Sequence, residues 1–199
     1  MKVIGITGGV GSGKSRVLSY LEEKHHAVIC QADQVAWELQ KPGQKCYLQI
    51  VEHFGTSILN DDKTIDRKVL GQIVFENNAK LQVLNTIMHP AVKSEIQKCI
   101  LMEKEKGTKL FFLEAALLIE EHYDEICDEL WYIYTSEPIR RQRLKDSRQY
   151  SDAKIDAIMA SQLSEERFRV ACKVIIENGG MFEDTCAKLD DAIEKLGEN

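Results

Sequence analysis

Five short apolar runs rich in β-branched or aromatic residues punctuate the chain: Val3–Thr7, Ala27–Cys30, Leu110–Leu113, Leu130–Tyr134 and Val174–Ile176. Each is bounded by charge, glycine or a helical pattern. Runs that are apolar throughout, rather than alternating, suit strands buried on both faces of a parallel sheet. Between them apolar positions recur every three to four residues, and Lys14–Lys24, Gln34–Leu39, Cys46–Phe54, Arg67–Phe75, Ala79–Ile87, Ala91–Glu105, Glu137–Lys145, Ala153–Ala160 and Phe182–Leu196 read as helices. Strands alternating with helices predict an α/β fold with about five parallel strands covered on both faces.

The stretch from Asp33 to Lys109 holds helical patterns and no convincing strand. One crossover helix needs far less chain, so the stretch reads as a helical insertion. In the last helix Phe182, Cys186, Leu189, Ile193 and Leu196 repeat at four- and three-residue steps. Two heptads are few for a coiled coil, and packing onto the sheet is the preferred reading.

Composition narrows the class. The chain has 199 residues, 44% hydrophobic and 29% charged, with three prolines, which excludes disorder, collagen and a membrane-spanning protein. Its net charge is −6 and its pI near 5.5, giving little drive toward phosphate backbones, so neither a nucleic-acid nor a membrane partner is expected. A monomer is the favoured state. The opening residues Met1–Thr7 reach glycines before they can make the apolar centre of an export signal, so a cytoplasmic location is expected. Six scattered cysteines show no C-x-x-C pair and no zinc spacing, and read as small buried hydrophobes.

The strongest chemical signal follows the first strand. Gly8-Gly9-Val10-Gly11-Ser12-Gly13-Lys14-Ser15 fits G-x-x-x-x-G-K-[ST] and runs into an amphipathic helix carrying Val17, Leu18 and Leu21. Glycines let the backbone turn its N–H groups inward around phosphate oxygens, and the helix N-terminus adds positive potential. Lys14 would reach the β- and γ-phosphates and Ser15 would ligate Mg²⁺. No N-K-x-D or L-S-G-G-Q stretch is present, which weighs against guanine-reading switches and transporter ATPases. Small size and the insertion favour a small-molecule kinase.

Such an enzyme needs a base, a carboxylate near the metal, and arginines on the phosphates. Asp33, after the second strand, fits a base or a helix N-cap equally well. Glu114, ending the third strand, fits a water-mediated metal ligand or a helix-start acid. Five basic residues crowd Pro138 to Arg148, and Arg140 and Arg143 share a helical face, fit either to clamp a triphosphate or to be a solvated basic face. Asp66-Arg67 and His89-Pro90 each read as a helix start, and each pair also has a purely structural explanation.

The whole chain resembles the dephospho-coenzyme A kinase family. The resemblance is carried in order by GITGGVGSGKS, Ala32-Asp33, Phe54-Gly55, Ile65-Asp66-Arg67, Met88-His89-Pro90-Ala91-Val92, Leu117-Leu118-Ile119-Glu120, Arg143, Ala160-Ser161-Gln162 and Ile176-Glu177-Asn178-Gly179. It implies a three-layer P-loop kinase fold in one domain: a core of about 1–40, 108–136 and 170–199, a helical acceptor-binding region of about 41–107, and a helical lid of about 137–169. The activity implied is ATP-dependent phosphorylation of the ribose 3′-hydroxyl of dephospho-CoA, with Mg²⁺. Asp33 would be the general base, with Lys14 and Arg143 also catalytic. Gly9, Gly11, Ser12, Gly13, Lys14, Ser15, Arg16 and Arg140 would hold the ATP phosphates, with Asn178 and Gly179 near adenine. Thr7, Asp33, Arg67, His89 and Leu117 would serve the acceptor. Where the family often has an arginine four residues after Arg143, this chain has Ser147 followed by Arg148.

Overall fold

The computed structural model describes residues 1–197. Strands β1 (Lys2–Thr7), β2 (Val28–Gln31), β3 (Leu110–Glu114), β4 (Glu129–Tyr134) and β5 (Val174–Glu177) form one sheet in the order β2-β3-β1-β4-β5. β1 pairs in parallel with β3 on one side and β4 on the other, and β4 pairs in parallel with β5. The chain fills one side of β1 before it fills the other. The C-terminal end of β1 is therefore the point where the winding reverses, and doubly wound sheets open their ligand crevice there.

The continuous apolar runs are explained by burial of alternate residues on opposite faces. Ile4, Ile6, Phe112, Trp131, Ile133 and Ile176 join one core with Val17, Leu18 and Leu21 of α1 (Lys14–His25) and Leu189, Ala192 and Leu196 of α9 (Phe182–Gly197). The intervening Val3, Phe111, Leu113, Leu130 and Tyr132 are also buried, and Phe168 of α8 (Glu165–Ala171) stacks on Tyr132 with centroids 4.9 Å apart. Gly5 belongs to this second face, where a Cβ would stand 2.6 Å from Leu130 Cδ2.

The remaining helices are α2 (Ala32–Leu39), α3 (Lys45–Phe54), α4 (Arg67–Glu76), α5 (Asn78–Glu105), α6 (Glu137–Arg148) and α7 (Asp152–Ala160). Two compact units result: Met1–Ile29 with the chain from Glu103 onward, and Cys30–Met102. Within the second unit Tyr47, Ile50, Ile58, Leu70, Met88, Val92 and Ile96 are buried, and the only β-pairing among its residues 33–102 is an antiparallel bridge between Leu59 and Ile65. Burial pushes the Cys30, Cys127 and Cys172 thiols up to about 12, in keeping with cysteines that serve as packing groups.

Two expectations are corrected. The separate helices expected over Ala79–Ile87 and Ala91–Glu105 are one 28-residue helix, α5, with Pro90 in its interior. Pro90 removes one N–H, but Met88, Val92 and Ile96 keep one buried stripe running past it, and that burial carries the helix through. Helix α8 was not expected, because one turned-in residue, Phe168, leaves no period to detect.

Candidate active site

The phosphate loop links β1 to α1. Gly11 and Gly13 hold φ of +79° and +87°, and neighbouring atoms already fill the space a Cβ would need: one on Gly11 would crowd the Arg140 carbonyl, and one on Gly13 would strike Asn178 Nδ2. Both positions therefore require glycine. Lys14 Nζ donates to the Gly8 carbonyl at 2.8 Å and lies 3.9 Å from the Glu114 carboxylate, at the end of the neighbouring strand. The N–H groups of Gly11, Gly13 and Ser15 meet no acceptor among the described residues. Ser12 Oγ is likewise buried without a partner among them. Leaving the buried Ser12 hydroxyl unmet costs about 1–3 kcal/mol, and an anion in the loop repays that cost.

A loop that turns its N–H groups inward turns its carbonyls outward, and they need donors. The Ser12 carbonyl accepts from three: Asn178 Nδ2 at 2.7 Å, Thr135 Oγ1 at 3.1 Å and Arg143 Nη1 at 3.3 Å. Arg143 also reaches the Asn178 carbonyl at 2.8 Å, and Arg140 Nη1 reaches the Val10 carbonyl at 3.4 Å. Thr185 donates to Asn178 Oδ1 at 3.1 Å, which fixes the amide with its nitrogen toward the loop. Thr135, Asn178 and Thr185 are all buried. The spacing of Arg140 and Arg143 thus brings both guanidinium groups to the loop, where they donate to backbone oxygens and, from Arg143, to the Thr135 hydroxyl. Sequence reading missed Thr135 and Thr185, and the only signal for them was the need to satisfy outward carbonyls.

Other first-unit positions are more dispersed. Gly9 lies under Arg140, and Ser15 is exposed in the first turn of α1. Arg16 leaves the loop and lies 3.8 Å over the Phe182 ring. Thr7 is closed to solvent, while Leu117, after β3, is exposed. Arg148 does not share the face of Arg143: it ends α6 over the Tyr150 ring, and Ser147 Oγ donates to the Arg143 carbonyl at 2.6 Å. Beside the loop a cavity of about 340 Å³ is lined by Thr135, Ile139, Gly179, Gly180 and Met181.

The second unit holds Asp33, Arg67 and His89. α2 begins at Ala32 with Gln31 as its N-cap, so Asp33 stands inside the first turn, exposed and without a hydrogen bond among the described residues. The N-cap reading of Asp33 is thereby excluded. One turn on, Trp37 presents a half-exposed indole with the Arg67 guanidinium 4.5 Å from its centroid, a pairing that sequence reading missed. Asp66 caps α4 by accepting from Lys68 N and Val69 N. His89 lies inside α5 rather than at a helix start.

A five-stranded parallel sheet with a phosphate loop at its winding reversal defines a P-loop kinase fold. Solved structures agree: TT1252 from Thermus thermophilus superposes with a TM-score of 0.79 at 25% identity, covering 98% of this chain and 97% of that one. An Acinetobacter baumannii shikimate kinase shares the fold with a TM-score of 0.56 at 15% identity, covering 98% and 94%. The family follows from sequence. The dephospho-CoA kinase family model matches residues 2–184, and a dephospho-CoA kinase of Carboxydothermus hydrogenoformans is 37% identical over 196 residues, 98% of this chain and 94% of that one. The chain belongs to the dephospho-CoA kinase family.

Proposed function

We propose that this chain transfers the γ-phosphoryl group of ATP to the ribose 3′-hydroxyl of dephospho-CoA, releasing CoA and ADP. The observation that carries the reading is a preformed phosphate cradle with unclaimed amides, in a chain of this family. The Asp33 carboxylate takes the hydroxyl proton as the 3′-oxygen bonds to the γ-phosphorus and the bond to the β-phosphate oxygen breaks. Lys14 follows charge onto the phosphates, and Arg140 and Arg143 add positive potential from behind the loop. Adenine enters the cavity beside Gly179. Residues 41–107 hold the acceptor, with Arg67 and His89 on its side, and residues 137–169 act as a lid that excludes water.

The donor set suits Mg²⁺. Ser15 and Glu114 offer hard oxygen ligands, and no cluster of three or more His, Cys, Asp or Glu side chains able to hold a metal occurs among the described residues. Two protein oxygens completed by phosphates and water match the habits of Mg²⁺, which when bound neutralises charge on the β- and γ-phosphates.

A coupled ADP-release assay with Mg·ATP tests the reading, run with dephospho-CoA, with adenosine, with AMP and without acceptor. Release dependent on dephospho-CoA is expected. Preference for another acceptor, or equal release without one, would overturn it.

A further inference from the structure

Val10, at the tip of the phosphate loop, has both of its backbone polar groups taken by side chains from the 137–171 segment. Its carbonyl accepts from Arg140 Nη1 of α6, and its N–H donates to Gln162 Oε1 at 3.0 Å from the turn between α7 and α8. Gln162 stands 152 residues away in sequence, and no role in the kinase chemistry described above uses it.

The turn that carries Gln162 is fixed at both ends. Gln162 N bonds the Met159 carbonyl and Ser161 Oγ bonds the Ile158 carbonyl, while Ser164 caps α8 through Arg167 N. α7 is in turn fastened to α6 by Arg141–Asp156 at 2.6 Å and Lys145–Asp152 at 2.7 Å, and Ile155 and Leu144 are fully buried. Gln162 is therefore the far end of a braced helical hairpin, not a loose surface side chain. Its Nε2 has no partner among the described residues. The residue type fits the position. A lysine or arginine cannot accept from an N–H, and a carboxylate would set a negative charge beside the triphosphate. A neutral amide accepts from Val10 and still presents donors toward an anion.

We infer that Gln162 is a positioning residue for phosphoryl transfer: by holding the Val10 N–H it sets the tip of the phosphate loop only while the α6–α8 segment is folded against it. Transfer to the acceptor is thereby tied to a closed, water-poor site. The inference rests on the kinase reading. Wild-type turnover with dephospho-CoA tests that reading, and the Gln162 variants test the inference separately.

The decisive quantity is the coupling ratio, ADP released without acceptor divided by ADP released with dephospho-CoA, both at saturating ATP. Gln162→Met keeps the length and removes the acceptor atom. It is expected to melt with the wild type, to lower kcat with little change in KM for ATP, and to raise the coupling ratio about fivefold, the factor of one ordinary hydrogen bond. Gln162→Glu keeps an acceptor oxygen and is expected to raise KM for ATP through its charge while holding the ratio near wild type. Amide exchange supplies an independent check, with Val10 protected in the wild type. Wild-type kcat and coupling in Gln162→Met, equal uncoupling in both variants, or an unprotected Val10 amide would each overturn the inference.

Discussion

At the scale of single residues, the site divides into groups that face a ligand and groups that hold the loop. Asp33 is proposed as one of the first kind, and it stands exposed and uncommitted at the start of α2. Asp33→Asn is expected to cut kcat at least ~100-fold with KM for ATP unchanged, the loss assigned to a general base; steady-state kinetics with dephospho-CoA will show it, and near-normal turnover would remove Asp33 from that role. Asn178 is of the second kind, since its amide is spent between the Ser12 carbonyl and the Thr185 hydroxyl. Asn178→Ala leaves that carbonyl short of its nearest donor and should weaken ATP about tenfold, measured by titration calorimetry with a non-hydrolysable analogue. The phosphate loop was legible in the sequence as a local motif, and Asp33 stood out only as a candidate after the second strand. The second kind was legible only in part: Asn178 and Gln162 lay in the family motifs without the loop-holding contacts they make, and Thr135 and Thr185 lay in none. Thr135 and Gln162 meet the loop across 123 and 152 residues of chain and Thr185 acts on it only through Asn178, and no local pattern records which backbone group a distant hydroxyl or amide will satisfy.

At the scale of elements, buried strands declared themselves as uninterrupted apolar runs, and each formed within a residue or two of its expected bounds. Pro90 misled because a proline is read as a helix start, whereas the buried stripe of α5 outweighs the single N–H it removes. α1 and α9 are joined by one polar node, in which Tyr20 Oη donates to Asp190 at 2.8 Å and His25 Nε2 lies 2.7 Å from the same carboxylate. Burial alone would push the Asp190 carboxyl up, but Tyr20 and His25 hold it below the usual carboxylate range. A carboxylate held low stabilises the fold above its unfolded pKa of about 3.9, and that contribution is lost as pH falls through the lower folded value. Asp190→Asn should therefore melt a few degrees below wild type at pH 7, and the gap should close below about pH 4. Melting curves across pH will show whether it does, and a gap constant down to pH 2.5 would contradict the node.

At the scale of the whole chain, the account is that of a nucleotide cradle already formed before ligand arrives. The loop carbonyls are satisfied, two glycines hold left-handed backbone, and three inward amides are unclaimed. A ligand that binds only the folded chain stabilises it by about 2.7 kcal/mol at a hundred times its dissociation constant, so a non-hydrolysable ATP analogue should raise the melting temperature by several degrees. Absence of any shift at millimolar analogue would contradict a preformed cradle. Fold class and family were both legible in sequence, because the ordered motifs run from Gly5 to Gly179 and the winding follows from alternating strands and helices. The division at Cys30–Met102 was legible only as a long stretch, Asp33 to Lys109, with helical patterns and no convincing strand.

The central claim is the identity of the new bond. The most direct measurement is mass spectrometry and phosphorus–proton correlation NMR on the product formed from Mg·ATP and dephospho-CoA. The account predicts a product heavier than dephospho-CoA by one phosphoryl group, with a new phosphomonoester coupled to the ribose 3′ proton. Unmodified dephospho-CoA, or phosphate on any other hydroxyl, would contradict it.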